Sequence, residues 1–246
     1  MTRMIGALAV LVSGSVLHAA EITVLSGGAV EPGLRTAAAA FEEQTGHKVD
    51  ISFNTTPQIR RRIDDGATFD VIVAPPEAIA DFAKARKIEE GGVTVGRVGS
   101  GVAVRQGAPV PAIATANDIR NAVLDAESIV FNRASTGLYF EKLLKQWGIY
   151  DQVEGKTVRY ATGAEVVDHV LKGKGKEVAF APITEILLEK GHGLILVGPL
   201  PPEIQNYTSY IAVPMTASTQ KEVARAFVTF LGGPVGRRLF VSAGIE

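Results

Sequence analysis

The feature that most constrains the fold is a repeated unit of apolar strand, polar loop and helical pattern between residues 21 and 74. The strand at 22–25 runs into the loop at 26–29, and the strand at 49–53 runs into the loop at 54–57. Each loop precedes a helix, so it exposes free N–H groups and the positive end of a helix dipole. Because neighbouring strands of an open α/β sheet place such loops together, the pattern predicts an anion-binding site.

Composition excludes several classes of function. The chain has 246 residues and a formal net charge of −1, and its 25 Lys and Arg residues are scattered. A nucleic-acid surface would need a basic stripe, so no nucleic-acid partner is expected. The absence of Cys excludes disulfides, thiolate metal sites and a cysteine nucleophile. The four His residues are far apart, so we expect no metal site and no cofactor.

Residues 1–20 have the pattern of a cleavable signal peptide. Arg3 supplies a positive start, residues 5–12 form a short apolar core, and Ala19 and Ala20 end the segment with small side chains. We expect cleavage after one of these alanines and a soluble periplasmic protein. The apolar run is too short for an ordinary transmembrane helix and no later segment qualifies, so no membrane insertion is expected.

The same unit recurs in the second half of the chain. The strand at 128–131 leads into the loop 132–137, and the strand at 158–160 into the loop 161–164, each again before a helix. Extended segments near residues 100 and 207 separate these units from the first set. The order predicts an α/β fold of two lobes, each a mainly parallel sheet flanked by helices, with a ligand cleft between them. Lobe one would comprise residues 21–100 and 208–246, and lobe two residues 101–207.

The chain resembles the periplasmic molybdate-binding proteins, which are type II solute-binding proteins of ABC importers. The segments that carry the resemblance are 22–24, 53–56, 69–73, 136–139 and 180–183. The resemblance implies a non-catalytic, monomeric receptor that holds a tetrahedral oxyanion with hydroxyls and backbone N–H groups and delivers it to the importer's membrane subunits.

The ligand site departs from that family at two positions. Thr56 falls where the family has a ligand-binding serine, and Thr136 falls at a backbone-donor position. Ala29, however, replaces a serine, and Phe180 replaces a tyrosine. Each charge-assisted hydrogen bond contributes roughly 1.5–3 kcal/mol, so the loss of two hydroxyls matters. The ligand is therefore either a molybdate- or tungstate-like oxyanion or a small carboxylate.

The candidate ligand-binding residues follow from the loops and from the resemblance. Arg133 could anchor a carboxylate through a bidentate pair, or it could be a surface arginine with a local acidic partner. The run at 60–62 points in different directions around a helix and is expected to form a solvated face. The predicted site residues are Ser26, Gly27, Gly28, Ala29, Asn54, Thr55, Thr56, Arg133, Ser135, Thr136, Gly137, Thr162, Gly163, Phe180 and Pro182.

An enzyme on the same fold is the alternative function. The passage 198–205 is similar to one in periplasmic aconitate isomerases, whose reaction moves a proton along a three-carbon unit and needs a base. The hydroxyls of Ser26, Thr56 and Tyr139 have no visible activating partner, and no nucleophile–base pair or metal motif is present. We therefore predict a receptor without catalytic residues. A structural or adhesion role is disfavoured by the four polar loops.

Overall fold

The computed structural model describes residues 19–189 and 191–246, so the predicted signal peptide lies outside the described residues except for Ala19 and Ala20. The strands are β1 (Glu21–Gly27), β2 (Lys48–Asn54), β3 (Val71–Ala74), β4 (Val93–Arg105), β5 (Ser128–Asn132), β6 (Thr157–Tyr160), β7 (Glu177–Pro182), β8 (Leu194–Pro199) and β9 (Tyr207–Pro214). The helices are α1 (Glu31–Thr45), α2 (Thr56–Asp64), α3 (Pro76–Lys84), α4 (Ala116–Asp125), α5 (Ser135–Gln146), α6 (Tyr150–Val153), α7 (Gly163–Lys172), α8 (Ile183–Leu188), α9 (Lys221–Gly232) and α10 (Pro234–Ser242).

A nine-stranded sheet runs through the described part of the chain in the order β2-β1-β3-β9-β4-β7-β5-β6, with β8 paired to β4. The first set of crossovers makes β1 parallel to β2 and β3, and the second makes β5 parallel to β6 and β7. The central strands β9 and β4 pair with their neighbours antiparallel. The predicted α/β fold is confirmed, with antiparallel strands added where the chain crosses between the two parallel groups.

The buried apolar residues form separate cores on the two sides of the crossing strands. Two clusters draw only on the chain before residue 99 and after residue 209. Two others draw only on residues 102–204. Strand β4 belongs to both sides, because residues 93–99 pair with β9 while residues 100–105 pair with β7 and β8. The molecule is thus two-lobed; the lobe boundaries near residues 100 and 207 stay predictions.

The Gly-rich segment 93–101 forms a regular strand, although its composition does not indicate one. It forms the first half of β4, although glycine generally weakens strands. Its glycines lie where neighbours approach closely: a Cβ on Gly101 would come within 2.8 Å of the Ile183 side chain. Helices α6 and α10 were also not predicted. Helix α10 packs on α1, where a Cβ on Gly33 would lie 2.5 Å from the Phe240 ring.

Candidate functional site

A cavity of about 280 Å³ lies where the loops after β1 and β2 face the loops after β5, β6 and β7. The two sets of loops belong to different lobes, so the cavity is the cleft that the sequence predicted. The predicted site residues that line it are Gly27, Gly28, Ala29, Asn54, Thr55, Thr56, Ser135, Thr136, Thr162, Gly163 and Pro182. Their role in binding a ligand stays a prediction.

Four predicted residues do not line the cavity. Ser26 is buried and its hydroxyl donates to the carbonyl of Gly27 at 3.1 Å. The side chain of Arg133 is exposed to solvent. Phe180 stacks in the core on Phe140, with ring centroids 3.6 Å apart. The fourth, Gly137, is buried in the first turn of α5. Arg133 is thus not part of the lining of this cavity, and its role as an anchor stays a prediction.

Asn132, at the end of β5, organises the third loop. Its buried side-chain oxygen Oδ1 accepts hydrogen bonds from the backbone N–H of Ala134 at 3.0 Å and of Gly137 at 3.1 Å. Position 137 must be glycine for this approach, because a Cβ there would lie 1.7 Å from the Asn132 carbonyl oxygen. Asn132 lines the cavity, and with Oδ1 engaged its amide nitrogen is the end left to donate.

The second loop is held by a reciprocal cap and by an arginine. Gln58 accepts from the N–H of Thr55 at 2.8 Å, which closes a capping box at the start of α2. Arg62 donates from Nη1 to Oδ1 of Asn54 at 2.8 Å, and its guanidinium lies 4.8 Å from the centroid of the Phe69 ring. Arg62 thus departs from the solvated face expected for the run at 60–62. It orients the Asn54 amide, which lines the cavity.

The fourth loop uses its threonine as a helix cap. The N–H of Thr162 donates to Oε2 of Glu165 at 2.9 Å, and the Thr162 hydroxyl accepts from the Glu165 N–H. These bonds engage the polar groups of Thr162 within the loop. The first-turn N–H groups of Gly163 and Ala164 have no intrahelical partner by helix geometry, so they are the donors that this loop offers.

Glu185, in the short helix α8, lines the cavity. Its Oε1 lies 3.3 Å from the position of a Cβ on Gly28, and its Oε2 lies 1.5 Å from that of a Cβ on Gly163. The carboxyl group therefore rests between a loop of lobe one and a loop of lobe two, and only glycine at position 163 leaves it room. Oε2 is closed off from solvent and has no hydrogen-bond partner among the described residues.

The surroundings of Glu185 favour its neutral form. Burial, and secondarily the negative charge of Glu31, raises its pKa from 4.5 to about 7. Glu31 and Glu189 also line the cavity, whereas no Lys, Arg or His side chain of residues 19–189 and 191–246 does so. Carboxyl groups whose pKa is strongly raised by their surroundings are common in the clefts of functional sites.

Tyr210 supplies a further polar side chain to the cavity. It lies on β9, is 7% exposed, and packs its ring so closely that a Cβ on Gly27 would be 2.6 Å from it. Burial, followed by the negative charges of Glu185 and Glu77, raises its pKa, so its hydroxyl stays protonated. Tyr210 thus brings a phenolic hydroxyl to a cleft whose expected tyrosine position is occupied by Phe180.

Neither Glu185 nor Tyr210 was predicted from the sequence. Glu185 falls in the first turn of a helix, where an acidic residue is normally explained by the helix dipole. Tyr210 lies in a strand that is far along the sequence from every loop that the pattern singled out. The available signal for Glu185 was its position three residues after Pro182, at the end of a buried strand.

Two further findings concern membrane-spanning helices and metal sites. Within the described ranges, no helix combines the length and apolar character needed to cross a bilayer. Among the same residues, no group of three or more His, Asp and Glu side chains is arranged to hold a metal ion.

Comparison with known proteins supports the resemblance. The aconitate isomerase of Pseudomonas sp is 27% identical over 248 residues, which cover 97% of this chain and 94% of that protein. The molybdate-binding protein ModA of Azotobacter vinelandii is 27% identical over 256 residues, with coverage of 99% and 97%. The solved periplasmic molybdate-binding protein of the same organism superimposes with a TM-score of 0.75 at 18% identity, covering 92% of this chain and 98% of that one.

These likenesses confirm the type II solute-binding fold and the similarity to molybdate-binding proteins. The sequence model described as bacterial extracellular solute-binding protein matches residues 22–246, nearly the whole chain. This protein therefore belongs to the family of bacterial extracellular solute-binding proteins.

Proposed function

We propose that the protein captures a small anion in the cleft and delivers it to the membrane subunits of an ABC importer. The observation that carries this proposal is the convergence of donors from both lobes on one cavity. On the lobe-two side of the cavity, helix α5 begins with Ser135 and Thr136, and helix α7 begins with Gly163. On the lobe-one side, helix α2 begins with Thr56. Helix N-termini that face each other across a cleft attract negative charge without a lysine or arginine.

Size and lining favour a small carboxylate over a bare tetrahedral oxyanion. A water molecule occupies about 30 Å³ in the liquid, so the cavity of about 280 Å³ is larger than four oxygens around one atom require. Phe53, Val167 and Leu188 give it apolar walls. These suit the carbon skeleton of an organic acid, while the helix N-termini and the Tyr210 hydroxyl suit its carboxylates.

Delivery would use the usual motion of a two-lobed receptor. Strands β4 and β9 cross between the lobes, so closure about them would press the loops 26–29 and 54–57 against the loops 133–137 and 162–164. The predicted signal peptide at residues 1–20 would place the mature chain in the periplasm, where such a receptor meets its importer.

A thermal-shift panel tests the proposal on the chain from Glu21 onwards. Molybdate, tungstate, sulfate and phosphate would be compared with citrate, tricarballylate and both aconitate isomers. A true ligand at a hundred times its Kd stabilises by about 2.7 kcal/mol, roughly 5–10 °C in Tm for a chain of this size. Thr56→Val should reduce the shift, whereas Thr229→Val, at an exposed position of α9, should not. A panel without any shift would contradict the proposal.

A second candidate function is isomerisation of aconitate, and Glu185 is the observation that favours it. An ionised Glu185 could remove a proton from the methylene carbon of the substrate and return it to the alkene carbon at the other end of the three-carbon unit. The double bond would then shift by one position with no other reactant consumed. The 27% identity to an aconitate isomerase is consistent with this chemistry.

The cavity also argues against the second candidate. Aconitate carries three carboxylates, which is more negative charge than helix N-termini and hydroxyls alone are suited to balance, and the described lining provides no cationic side chain to add to them. An NMR time course with cis-aconitate separates the two functions. Conversion to trans-aconitate that is lost in Glu185→Gln would establish the enzyme. Saturable binding of cis-aconitate without conversion would establish the receptor.

A further inference from the structure

We propose that the cavity binds its anion together with one proton, which is held between the Glu185 carboxyl group and an oxygen of the ligand. This inference rests on the proposed anion binding and adds to it a requirement for a proton. The geometry points to this shared proton because Oε2 of Glu185 has no hydrogen-bond partner among the described residues. Oε2 lies against Gly163, the first residue of α7, which lines the cavity.

The charges around Glu185 make the proton necessary. An ionised Glu185 beside an ionised ligand would place two negative charges at contact distance in a site of low polarity, which is strongly unfavourable. Helix α1 contributes Glu31, whose ion-pair partner Arg35 lies 2.7 Å from it. The other titratable groups on the elements around Glu185 are Glu189 next to α8, Glu165 on α7 and Tyr210 on β9. Glu77, on α3, acts on Tyr210. Strands β4, β7 and β8 contribute no charged side chain to the described lining.

None of these groups can replace the proton. Arg35 is already engaged by Glu31, and Tyr210 is a neutral donor. The remaining groups are acids that add negative charge. A proton on Glu185 removes one of the two repelling charges and gives the carboxyl group an O–H that can donate to a ligand oxygen.

Two routes lead to the same complex. A protonated Glu185 can donate its O–H to a carboxylate oxygen of the ligand, or an ionised Glu185 can accept the O–H of a ligand that arrives protonated. Both complexes contain the same atoms and one shared proton, so their dependence on pH is the same by linkage. Burial raises the pKa of Glu185 to about 7, which places the loss of that proton in an accessible range.

The expected signature is a fall in affinity at alkaline pH. Above the pKa values of the free carboxyl group and of the ligand, the association constant should decrease by about tenfold for each pH unit. Binding should also take up close to one proton from the buffer. A receptor that uses only backbone N–H groups and hydroxyls would show neither effect between pH 7 and 9.

The test is isothermal titration calorimetry on the mature chain at pH 6, 7, 8 and 9, in pairs of buffers with different enthalpies of ionisation. Tricarballylate, trans-aconitate and molybdate serve as probes. The two carboxylates titrate near pH 4, so they stay ionised over most of this range. The wild-type protein should take up about one proton per ligand at pH 8. Glu185→Gln, a neutral isostere, should bind with a flat pH profile and without proton uptake.

Controls keep the outcomes distinct. Glu43→Gln removes the same charge from an exposed position of α1 and should keep the wild-type slope. Wild-type binding that is independent of pH, without proton uptake, would overturn the inference and leave anion capture standing. Failure of every probe to bind the folded protein would overturn both the shared proton and the proposed anion binding. If Glu185→Gln does not fold, the carboxyl C=O infrared band of the wild-type protein still decides, because ligand must increase the protonated fraction at pH 8.

Discussion

The hydroxyl of Thr184 donates a hydrogen bond of 2.6 Å to the backbone carbonyl of Ala29. Both residues are buried, and they belong to different lobes. Thr184 immediately precedes Glu185, so this bond fixes the start of α8 against the first loop. The position of the Glu185 carboxyl group between Gly28 and Gly163 thus depends on a contact that joins the two sides of the cleft.

Replacing Thr184 by Val should destabilise the protein by about 1–3 kcal/mol, because the buried Ala29 carbonyl loses its donor. Thr216→Val is the matched control, since that hydroxyl also donates to a carbonyl, Arg86 at 3.0 Å, but at an exposed position. Urea unfolding of both variants measures the difference. Equal and small losses would show that the contact between Thr184 and Ala29 does not hold in solution.

Glu185→Gln should stabilise the protein at alkaline pH. The folded-state pKa is raised from 4.5 to about 7, so the wild-type side chain favours folding fully below pH 4.5 and loses that contribution as the pH rises through 7. The neutral glutamine avoids this loss, and the variant should gain up to about 3 kcal/mol relative to the wild type above pH 8.

Chemical denaturation at pH 5, 7 and 9 measures this effect, with Glu43→Gln as an exposed control. The difference between Glu185→Gln and the wild type should widen from pH 5 to pH 9. A constant difference over that range would show that the Glu185 carboxyl group does not titrate near neutrality.

Gly163→Ala should strongly weaken ligand binding while the protein stays folded. The added Cβ would need the space 1.5 Å from Oε2 of Glu185, so the carboxyl group must leave its place in the cleft. Gly155→Ala is the control, because no atom lies within 4 Å of a Cβ at that position. Calorimetric titration should show a loss of more than about tenfold in affinity for the first variant only. Unchanged affinity in Gly163→Ala would contradict the placement of Glu185.

Arg62→Gln should weaken binding although Arg62 does not line the cavity. Loss of the 2.8 Å bond from Nη1 to Oδ1 of Asn54 frees the Asn54 amide to rotate. A single bond of this kind contributes about 1 kcal/mol, so we expect a three- to tenfold increase in Kd. Arg61→Gln, at an exposed position of the same helix, should change little. Equal effects in the two variants would indicate a general role of positive charge instead.

Much of the fold could be predicted because it follows from local patterns. The caps at Thr55 and Thr162 and the stop at Gly46, which has a φ of 74°, depend on neighbouring residues alone. The strands that were recognised are short apolar runs bounded by turn residues. The segment near residue 100 was expected to be extended, but its Gly-rich part was not predicted to be a strand, because the side chains that pack against its glycines, such as Ile183, are distant in sequence.

The candidate site was predicted only in part, for a similar reason. The loops at the helix N-termini were found because strand, loop and helix are contiguous in the chain. Arg133 and Phe180 were expected at the site and lie outside its lining, because a loop position does not determine which way a side chain points. The Asn54 amide was expected there, but the Arg62 side chain that orients it was not.

The sequence by itself determined the two-lobed α/β architecture and the row of helix N-termini at the cleft, since periodicity and capping act over a few neighbouring residues. Only the tertiary structure decided that Glu185 and Tyr210 meet there, on segments that the strand-and-loop pattern did not connect. It also decided the direction in which their pKa values shift, because burial and nearby acids, and not the residue type, raise the pKa values of both groups.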